Sequence, residues 1–566
     1  MCLLFLLTGT TLGQHLQDPR LRHEVWASGI ERPLGFDFIG PGELFIFENT
    51  TGRVMHLRNG QVANELLDLV VGDRGGLGLA VSPDFANDRF VFLHATESVT
   101  GQDGGEWSGT RILRYRYDGE ELVDPLTLLE VPFDPNQNNG NTHDSGTLRF
   151  GPDGMLYGLL GDKYRGSLDN GRIEQNTGLA PSGCGVIFRL APDGTIPSDN
   201  PFANHPIPSV RPWYVTGFRN SLGLTFDPQT DALWFTDNGP DSYDELNRAV
   251  AGMNGGWLKI MGPDERDAVY FENGDTAYGR DDLVLLPGAV YRDPEFSWAS
   301  PIGITAAGFV PARRFPEDLW GDLWIADFLG RLSAFEMSAE RSSIVPPSLS
   351  ADRVADSPAE AEEPRFGSNF GTVTEWRFGP DGYLYLCDYY AGFLRRIRPV
   401  VDRVEPTGIE ILAGKLFSGS VEDLGGLETG ELILHRPERS GQAQLQLLWQ
   451  VELAYRLEAN DPLQLEFDLS SSLRSGAGGT RVEAFHPASA SWTPVGNHPV
   501  GTMLGSHVDV LPAPAEQWVE PGTGRVRLRL EVRAHAPAAP GLVGSAPASV
   551  RLQLNLNRAR LRATLP

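Results

Sequence analysis

The sequence has little cysteine, no long apolar run and no basic cluster. Its 566 residues include three cysteines, and their spacing fits no zinc motif. No segment reaches roughly 18 continuous apolar residues, so a transmembrane helix is not supported. The formal net charge is −27, and no group of Lys and Arg interleaved with aromatic residues offsets it. Because such a charge repels polyanions, the sequence excludes nucleic acid as an expected partner.

The N-terminus and the cysteines bear on the cellular compartment. Residues 1–14, MCLLFLLTGTTLGQ, resemble the end of a secretory signal, although a basic start is missing. Either the start codon is misplaced or the signal is weak, and the pattern favours a secreted or periplasmic protein. Cys184 and Cys387 would remain after cleavage. They either pair in an oxidising compartment or stay as two buried thiols.

Glycine, proline and aromatic residues, by contrast, are abundant. The counts of 65 Gly, 42 Pro, 28 Phe and 12 Trp are typical of short strands joined by many turns, so we predict an all-β fold. A chain of this length is too long for one ordinary core and predicts two domains.

One phrase recurs six times: a Pro or Asp turn, a strand of the form small-x-Leu-aromatic-apolar, then an acidic residue or Asn. The copies are centred on Leu44, Phe90, Leu156, Leu233, Leu323 and Leu384. Their mean spacing of about 68 residues exceeds the roughly 40 to 50 of compact propeller repeats. Each copy predicts the middle hairpin of a four-stranded blade. We therefore predict a six-bladed β-propeller over residues 20–400, because a closed ring covers both faces of such units.

Two regions depart from this repeat. Residues 337–364 are rich in Ser, Pro, Ala and acids, and they predict a solvated insertion between the fifth and sixth blades. After about Val401 the sequence alternates apolar and polar residues, which predicts a separate β-sandwich over residues 420–566. We interpret this domain as a packing or attachment module, with carbohydrate or cell-surface contact as the alternative.

The loops at one end of a propeller channel converge, so residues far apart in the chain can face one ligand. His143 and Asp162 flank the hairpin of the third copy. His143 could take a proton from a hydroxyl while hydride leaves the same carbon, because imidazole titrates near neutral pH. The alternative is a surface histidine bonded to a backbone carbonyl.

Two further polar segments follow. In GFRNSLGL, Arg219 and Asn220 suit a carboxylate or a quinone oxygen, or else tie two loops together. In DNGPDSYDELN, acids and amides around Gly239 and Pro240 supply the hard oxygen ligands that Ca²⁺ prefers, or else form a hydrated loop.

The chain resembles the soluble quinoprotein glucose/sorbosone dehydrogenases, also called aldose sugar dehydrogenases, from about Arg22 to Pro399. The resemblance rests on ordered segments that include VWASGIERPLGFDF, DRGGLGLAVSPDFAND, HDSGTLRFGPDGMLYGLLGD, GFRNSLGLTFDPQTDALWFTDNGPDSYDELN and NGGWLKIMGP. It implies a six-bladed propeller that binds pyrroloquinoline quinone (PQQ) and Ca²⁺ and oxidises aldose sugars at the anomeric carbon.

The resemblance also implies roles for individual residues. The implied catalytic residues are His143 as the base, Asp162 and Arg219. The implied cofactor contacts are Arg219, Asn220, Arg331 and Asp73. The implied metal ligands are Gly239 and Pro240 for a quinone-bound Ca²⁺, and Asp244 and Glu245 for a structural Ca²⁺.

The sequence departs from the PQQ-binding pattern where the cofactor carboxylates are held. Thr372 and Thr374 stand where PQQ-using relatives carry two arginines, and only Arg331 stands near the place of a family lysine. Asp73 occupies the place of a Gln or Glu. Each missing charge-assisted contact is worth about 1.5 to 3 kcal/mol, so we expect weakened PQQ binding.

The sequence therefore favours a sugar dehydrogenase that acts on a small-molecule sugar or a related alcohol or aldehyde. The alternative is a relative that has lost PQQ and works as a secreted binding or scaffold protein. A hydrolase or lactonase built on Ca²⁺ and His143 is disfavoured, because no metal-facing carboxylate pair stands out.

Overall fold

A computed structural model describes most of the chain before residue 404 and the strands after it. The described residues are 14–132, 143–163, 183–266, 279–312, 314–404, 406–413, 415–418, 432–435, 442–450, 463–471, 478–500, 505–511, 515–518, 525–533 and 553–564. Most of the predicted signal segment, residues 1–13, lies outside them. The fold is all-β, as predicted. It divides into two compact units. The first holds Met1–Asp18, His23–Pro311 and Leu319–Ile397, and the second holds Arg398–Pro566 with two short segments, Pro19–Arg22 and Ala312–Asp318.

The described part of the first unit contains six sheets. The first comprises β3 (Pro33–Gly40), β4 (Glu43–Glu48), β5 (Arg53–Arg58) and β6 (Gln61–Asp68). The second comprises β7 (Val71–Val81), β8 (Phe90–Ser98), β9 (Trp107–Tyr117) and β10 (Leu122–Pro132). The third comprises β11 (Leu148–Phe150), β12 (Leu156–Leu160), β13 (Val186–Leu190), β14 (Trp213–Thr216), β18 (Met253–Asn254) and β19 (Val290–Tyr291).

The other three sheets follow the same plan. The fourth comprises β15 (Leu224–Phe226), β16 (Leu233–Asp237), β17 (Asp244–Arg248), β20 (Phe296–Trp298) and β24 (Val354–Ala355). The fifth comprises β21 (Ile304–Phe309), β22 (Leu323–Asp327), β23 (Leu332–Phe335), β25 (Arg365–Ser368) and β1 (His15–Leu16). The sixth comprises β26 (Val373–Phe378), β27 (Leu384–Asp388), β28 (Phe393–Pro399) and β2 (Leu21–Ser28).

The recurring phrase forms the second strand of every sheet in this unit. Its six copies lie on β4, β8, β12, β16, β22 and β27, each paired antiparallel between the first and third strands. The prediction that each copy belongs to the middle hairpin of a sheet is confirmed. Both faces of these strands are buried, because large apolar side chains fill the spaces between consecutive sheets. Phe47 and Leu93 pack between the first and second sheets, and Phe92 and Leu156 pack between the second and third.

The first strands of the six sheets contact one another in a closed cycle. β3 contacts β7, β7 contacts β11, and the series continues through β15, β21 and β26 back to β3. The N-terminal strand β2 completes the sixth sheet by pairing with β28. This closed order is the arrangement expected of a propeller ring.

Charged side chains connect the first strands across the middle of the cycle. Arg377 on β26 donates to the carbonyl oxygens of Leu79 at 2.9 Å and Leu148 at 3.0 Å, and it pairs with Asp37 at 3.1 Å. Burial lowers the pKa of Arg377 to about 10. Beside it, Arg149 on β11 binds the Glu375 carboxylate of β26 at 2.6 Å, and both side chains are largely buried. These contacts join strands of four different sheets.

The segment 337–364 differs from its prediction as a solvated insertion between two blades. It lies between β23 and β25 of the fifth sheet, and it adds β24 to the fourth sheet, parallel to β20. Ile344 and Val354 are buried, and Arg341 forms a buried ion pair with Asp227. Most of its Ser, Ala and Pro residues are exposed or partly buried, as the composition suggests, but a few apolar and charged side chains anchor the segment to the fourth and fifth sheets.

Helices are short in the described residues. The α-helical turns are Phe85–Asp88 and Pro358–Glu362, and the 3₁₀ turns are Pro208–Val210, Asp264–Arg266, Arg280–Asp282, Glu317–Leu319 and Ala515–Trp518. None of the described helices is long and apolar enough to cross a membrane. Cys184 and Cys387 are buried thiols, the first packed among residues of the second and third sheets and the second on β27.

The second unit contains two antiparallel sheets in its described residues. One comprises β30 (Pro406–Ala413), β33 (Gln442–Gln450), β38 (Arg525–Arg533), β35 (Gly478–His486) and β36 (Ser491–Val500). The other comprises β31 (Lys415–Ser418), β32 (Leu432–His435), β39 (Gln553–Thr564), β34 (Leu463–Ser471) and β37 (Gly505–Leu511), with β29 (Val401–Val404) paired to β39. Their arrangement as a sandwich and their role in attachment or carbohydrate contact stay predictions.

Candidate active site

The structure places the His143 side chain against Asp162, a contact that the sequence had not predicted. His143 precedes β11 and Asp162 follows β12, so the antiparallel pairing of these strands brings the two residues to one edge. His143 Nδ1 lies 2.7 Å from Asp162 Oδ1, and the two side chains are 13% and 5% exposed. The adjoining Gly161 allows this approach, because a Cβ there would lie 2.1 Å from the His143 carbonyl oxygen.

This contact determines which imidazole nitrogen carries the proton. A carboxylate accepts hydrogen bonds, so Asp162 orients the ring with the proton on Nδ1 and the lone pair on Nε2. Asp162 is itself held, because Trp257 donates its indole N–H to Asp162 Oδ2 at 2.9 Å. Nε2 of His143 is therefore the ring nitrogen with the character of a proton acceptor.

Arg219 and Asn220 lie at the same edge, on the loop before β15. The Asp162 N–H donates to the Arg219 carbonyl oxygen at 2.8 Å, which joins the loops of the third and fourth sheets. The Arg219 guanidinium donates to the carbonyl oxygen of Asn238 at 2.9 Å, and its carbon lies 5.8 Å from the centre of the Trp257 ring. Arg219 and Asp162 therefore both contact Trp257.

The acid that ends the recurring phrase holds these loops in place. Asp237 ends β16, and its carboxylate accepts the N–H groups of Arg219 at 2.8 Å and Asn220 at 2.7 Å. Glu48 ends β4 and accepts the Glu31 N–H at 2.8 Å, again from the loop before the first strand of its sheet. Asp162 lies beyond the end of β12, which ends at Leu160, and its carboxylate contacts the His143 imidazole. The third sheet thus has a carboxylate at the same edge, where it orients an imidazole.

Two amide oxygens beside Arg219 carry no hydrogen bond among the described residues. They are Asn220 Oδ1 and Asn238 Oδ1, and both are buried. A buried acceptor without a donor costs free energy unless a ligand or water supplies one. A ligand that carries hydroxyl groups has donors of this kind.

Asp244, one of the predicted Ca²⁺ ligands, is buried and already hydrogen-bonded through both oxygens. Its Oδ1 accepts the Gly239 N–H at 3.0 Å, and its Oδ2 accepts the N–H groups of Ile302 and Gly303, each at 2.6 Å. Burial nevertheless raises the pKa of Asp244 to about 6. The carboxylate fixes the loop before β21, as Asp237 does before β15.

Glu245, the second predicted acidic ligand, faces the interior as well. Its Oε1 accepts the Gly262 N–H at 2.6 Å, and its Oε2 accepts the Asn247 side-chain amide at 2.9 Å. Burial raises the pKa of Glu245, and the neighbouring Asp237 raises it further. Burial also raises the pKa of Asp237.

The described donors do not match a Ca²⁺ shell. The Gly239 carbonyl oxygen accepts an Arg219 N–H at 3.2 Å, and a guanidinium at that place repels a second cation. Pro240 adjoins this carbonyl and is partly buried. Within the described ranges, no group of three or more His, Cys, Asp and Glu residues is arranged to hold a metal ion. Ca²⁺ binding by these residues stays a prediction.

We expect the melting temperature in chelator-containing buffer to fall as the pH rises from about 5 to 8. Asp237, Asp244 and Glu245 have raised pKa values, so the folded protein binds more protons than the unfolded chain in this interval. Stability from a raised carboxyl pKa is fully present below the unfolded pKa and is lost as the pH passes the folded pKa. Calorimetry measures the slope, and Glu245→Gln should flatten it. A melting temperature that climbs over this range would contradict the account.

The remaining predicted cofactor contacts are engaged elsewhere or exposed. Arg331 pairs with Asp327, to which its backbone N–H also donates at 3.0 Å. Asp73 is 55% exposed and pairs with Arg74. Thr374 donates its hydroxyl to the Pro33 carbonyl oxygen at 3.2 Å.

These residues do not fit a tricarboxylate cofactor. Thr372 is neutral, and its N–H donates to Asp388 at 3.3 Å. Arg377, the other arginine near the two threonines, is committed to Asp37 and two carbonyl oxygens. Arg219 and Asn220 alone could meet a quinone edge, which leaves carboxylates without cationic partners among the described residues.

Sequence reasoning missed three residues of this region. Trp257, in the quoted segment NGGWLKIMGP, contacts both Asp162 and Arg219. Asp144 and Lys163 follow His143 and Asp162 directly and form a second, buried pair. Their positions beside the first pair were the only available signal.

One known family matches most of the first unit of the chain. The family described as Glucose / Sorbosone dehydrogenase matches residues 30–392, which contain every predicted site residue. The chain belongs to this family. It is 26% identical to the aldose sugar dehydrogenase YliI of Escherichia coli, over 66% of this chain and 92% of that protein. It is 28% identical to quinoprotein glucose dehydrogenase B of Acinetobacter calcoaceticus, over 51% of this chain and 63% of that protein.

A solved structure of a glucose dehydrogenase is similar in fold to part of this chain. A crystal structure of a glucose dehydrogenase superposes with a TM-score of 0.51 at 25% identity, covering 66% of this chain and 99% of that structure. The similarity covers the share of the chain that holds the six sheets. The family and its fold thus support an oxidoreductase with a propeller-like first unit.

Proposed function

We propose that this protein is a sugar dehydrogenase that oxidises the anomeric hydroxyl of an aldose. In this proposal the six sheets are the blades of a six-bladed propeller, and the loops at one end of its cycle form the sugar site. The observation that carries the proposal is the contact of His143 Nδ1 with Asp162, whose backbone N–H also donates to the Arg219 carbonyl oxygen.

The described residues suit the proton half of this oxidation. The hydroxyl proton passes to His143 Nε2, and Asp162 stabilises the imidazolium that results. Trp257 fixes the carboxylate, so the ring does not have to reorient during the reaction. The C1 hydrogen leaves as hydride to a two-electron acceptor, and the sugar becomes a lactone.

The two amide oxygens that carry no hydrogen bond among the described residues suit the binding of a sugar. Asn220 Oδ1 and Asn238 Oδ1 are buried acceptors, and sugar hydroxyls are donors. The Arg219 guanidinium is held near them by the Asn238 carbonyl oxygen. A small polyhydroxylated substrate therefore matches the edge of the site better than an apolar one.

We expect the purified protein to reduce an artificial dye when an aldose is supplied. The assay is run on a panel of aldoses with no addition, with PQQ, and with PQQ and Ca²⁺. Sugar-dependent reduction in any of these conditions supports the proposal, and the condition that gives it identifies the acceptor requirement. Absence of sugar-dependent reduction in every condition, with a folded protein, would overturn the dehydrogenase assignment. Because the described cations do not fit a tricarboxylate, we expect saturation by PQQ only well above micromolar concentration.

A further inference from the structure

A second buried pair lies directly behind the proposed base. Asp144 follows His143 in one segment, and Lys163 follows Asp162 in the other. The Lys163 ammonium forms an ion pair with Asp144 Oδ1, and the two side chains are only 5% and 2% exposed. The pairs His143–Asp162 and Asp144–Lys163 are therefore adjacent and join the same two segments.

The two pairs face different parts of the protein. Asp162 contacts Trp257 on the side of Arg219. The second pair instead contacts β9 of the second sheet: Thr110 donates to Asp144 Oδ1 at 2.9 Å, and the Lys163 ammonium lies 5.1 Å from the centre of the Trp107 ring. The backbone that carries His143 is therefore tied to β9 from behind.

The backbone at this place is strained. His143, Ser145 and Lys163 have φ values of 65°, 58° and 58°, in the left-handed region that residues with a Cβ rarely adopt. Each such residue costs free energy and persists only where the surrounding contacts enforce it. The Lys163 backbone nitrogen lies 3.4 Å from the His143 carbonyl oxygen, at the long end of the hydrogen-bond range.

Burying a charge pair costs desolvation free energy, which offsets much of the attraction between the charges. Apolar residues of similar size often stabilise a protein as much or more. Here Asp144 Oδ2 also carries no hydrogen bond among the described residues, so the pair is incompletely satisfied. What an ion pair supplies and apolar packing does not is a fixed direction and distance between two backbone segments.

We propose that Asp144 and Lys163 are positioning residues that hold the His143 and Asp162 segments in register, so that the imidazole faces the carboxylate. This inference rests on the proposed function, because the group that they position is the base of the proposed reaction. Neither residue is proposed to touch the sugar. The contacts with Thr110 and Trp107 anchor the pair to β9.

The test uses the full-length protein labelled with ¹⁵N-histidine and reads the proton on His143 Nδ1 by NMR. A strong hydrogen bond to Asp162 places this proton at low field, and His143→Ala assigns it. We expect Lys163→Met to shift or broaden this resonance and to lower kcat about 10- to 100-fold, with KM changed less than about threefold. Lys163→Arg, which keeps the charge, should restore part of both signals.

The matched control removes another buried ion pair of the first unit. Arg341 binds Asp227 at 2.7 Å, and Arg341→Met leaves a buried carboxylate just as Lys163→Met does. We expect Arg341→Met to lower the melting temperature without moving the His143 resonance. If Lys163→Met is folded and its His143 resonance is unchanged, the inference is overturned.

A milder variant keeps the test decisive if Lys163→Met does not fold. Thr110→Val removes one hydroxyl that binds Asp144 and changes little volume. A moved His143 resonance in this variant supports the positioning role, and an unmoved one overturns it. The NMR readout does not need turnover, so a protein without sugar oxidation but with a moved resonance would contradict the proposed function alone.

Discussion

Replacing His143 by alanine should lower kcat for sugar oxidation by about a hundred- to ten-thousandfold. The imidazole is the proton acceptor of the proposed reaction, and Asp162 contacts it through the other ring nitrogen, Nδ1. Steady-state dye reduction measures the loss. KM should change little, because binding groups such as Arg219 and Asn220 remain.

The control for this prediction is His15→Ala. His15 is exposed on β1 of the fifth sheet, far along the chain from the third. This variant should keep kcat within about twofold, as surface substitutions usually do. If His143→Ala retained the turnover of the unaltered protein, the base would have to be another group, and the assignment of this site would fail.

Replacing Glu375 by leucine should lower the free energy of unfolding of the first unit by about 3 to 5 kcal/mol. The substitution leaves Arg149 without its carboxylate, in a place where its side chain is only 12% exposed. Arg377 lies close enough to lower stability further by repulsion, since Arg149 already contributes to its lowered pKa. Denaturant unfolding followed by Trp fluorescence measures the change.

Two comparisons make this result specific. The double variant Arg149→Met/Glu375→Leu should recover much of the loss, because an apolar pair removes the uncompensated charge. Arg58→Ala, which breaks an exposed pair with Glu43, should cost less than about 1 kcal/mol. Equal losses for Glu375→Leu and Arg58→Ala would show that the charges on β11 and β26 do not connect these strands as described.

The site was predictable where the chemistry is local in sequence. His143 and Asp162 flank one hairpin, so antiparallel pairing alone brings them to one edge. Arg219 and Asn220 precede the first strand of the next sheet, which places them beside the same edge. Asp237 ends β16 and Asp162 closely follows β12, the equivalent strand, so the acids after the recurring phrase were visible in the sequence.

Parts of the site were not predictable from sequence. In these parts a side chain contacts a residue far away in the chain, or a different residue binds it in place of the predicted ligand. Trp257 reaches Asp162 across 95 positions of the chain, and no periodicity points to it. Arg331 was predicted near the cofactor, yet an acid four residues earlier engages it. The residues 337–364 were predicted as solvated because their composition is polar, and no local pattern reveals the buried pair of Arg341 with Asp227.

The amino-acid sequence by itself determined the all-β class, the position of every second strand and the family. These depend on the alternation, turns and apolar side chains within a few neighbouring residues, which local propensity and packing already restrict. Only the tertiary structure decided which charges meet at the centre of the cycle, which carboxylate receives an imidazole and which cations are already bound. Those outcomes depend on contacts between sheets far apart in the chain, where burial makes each charge select one partner.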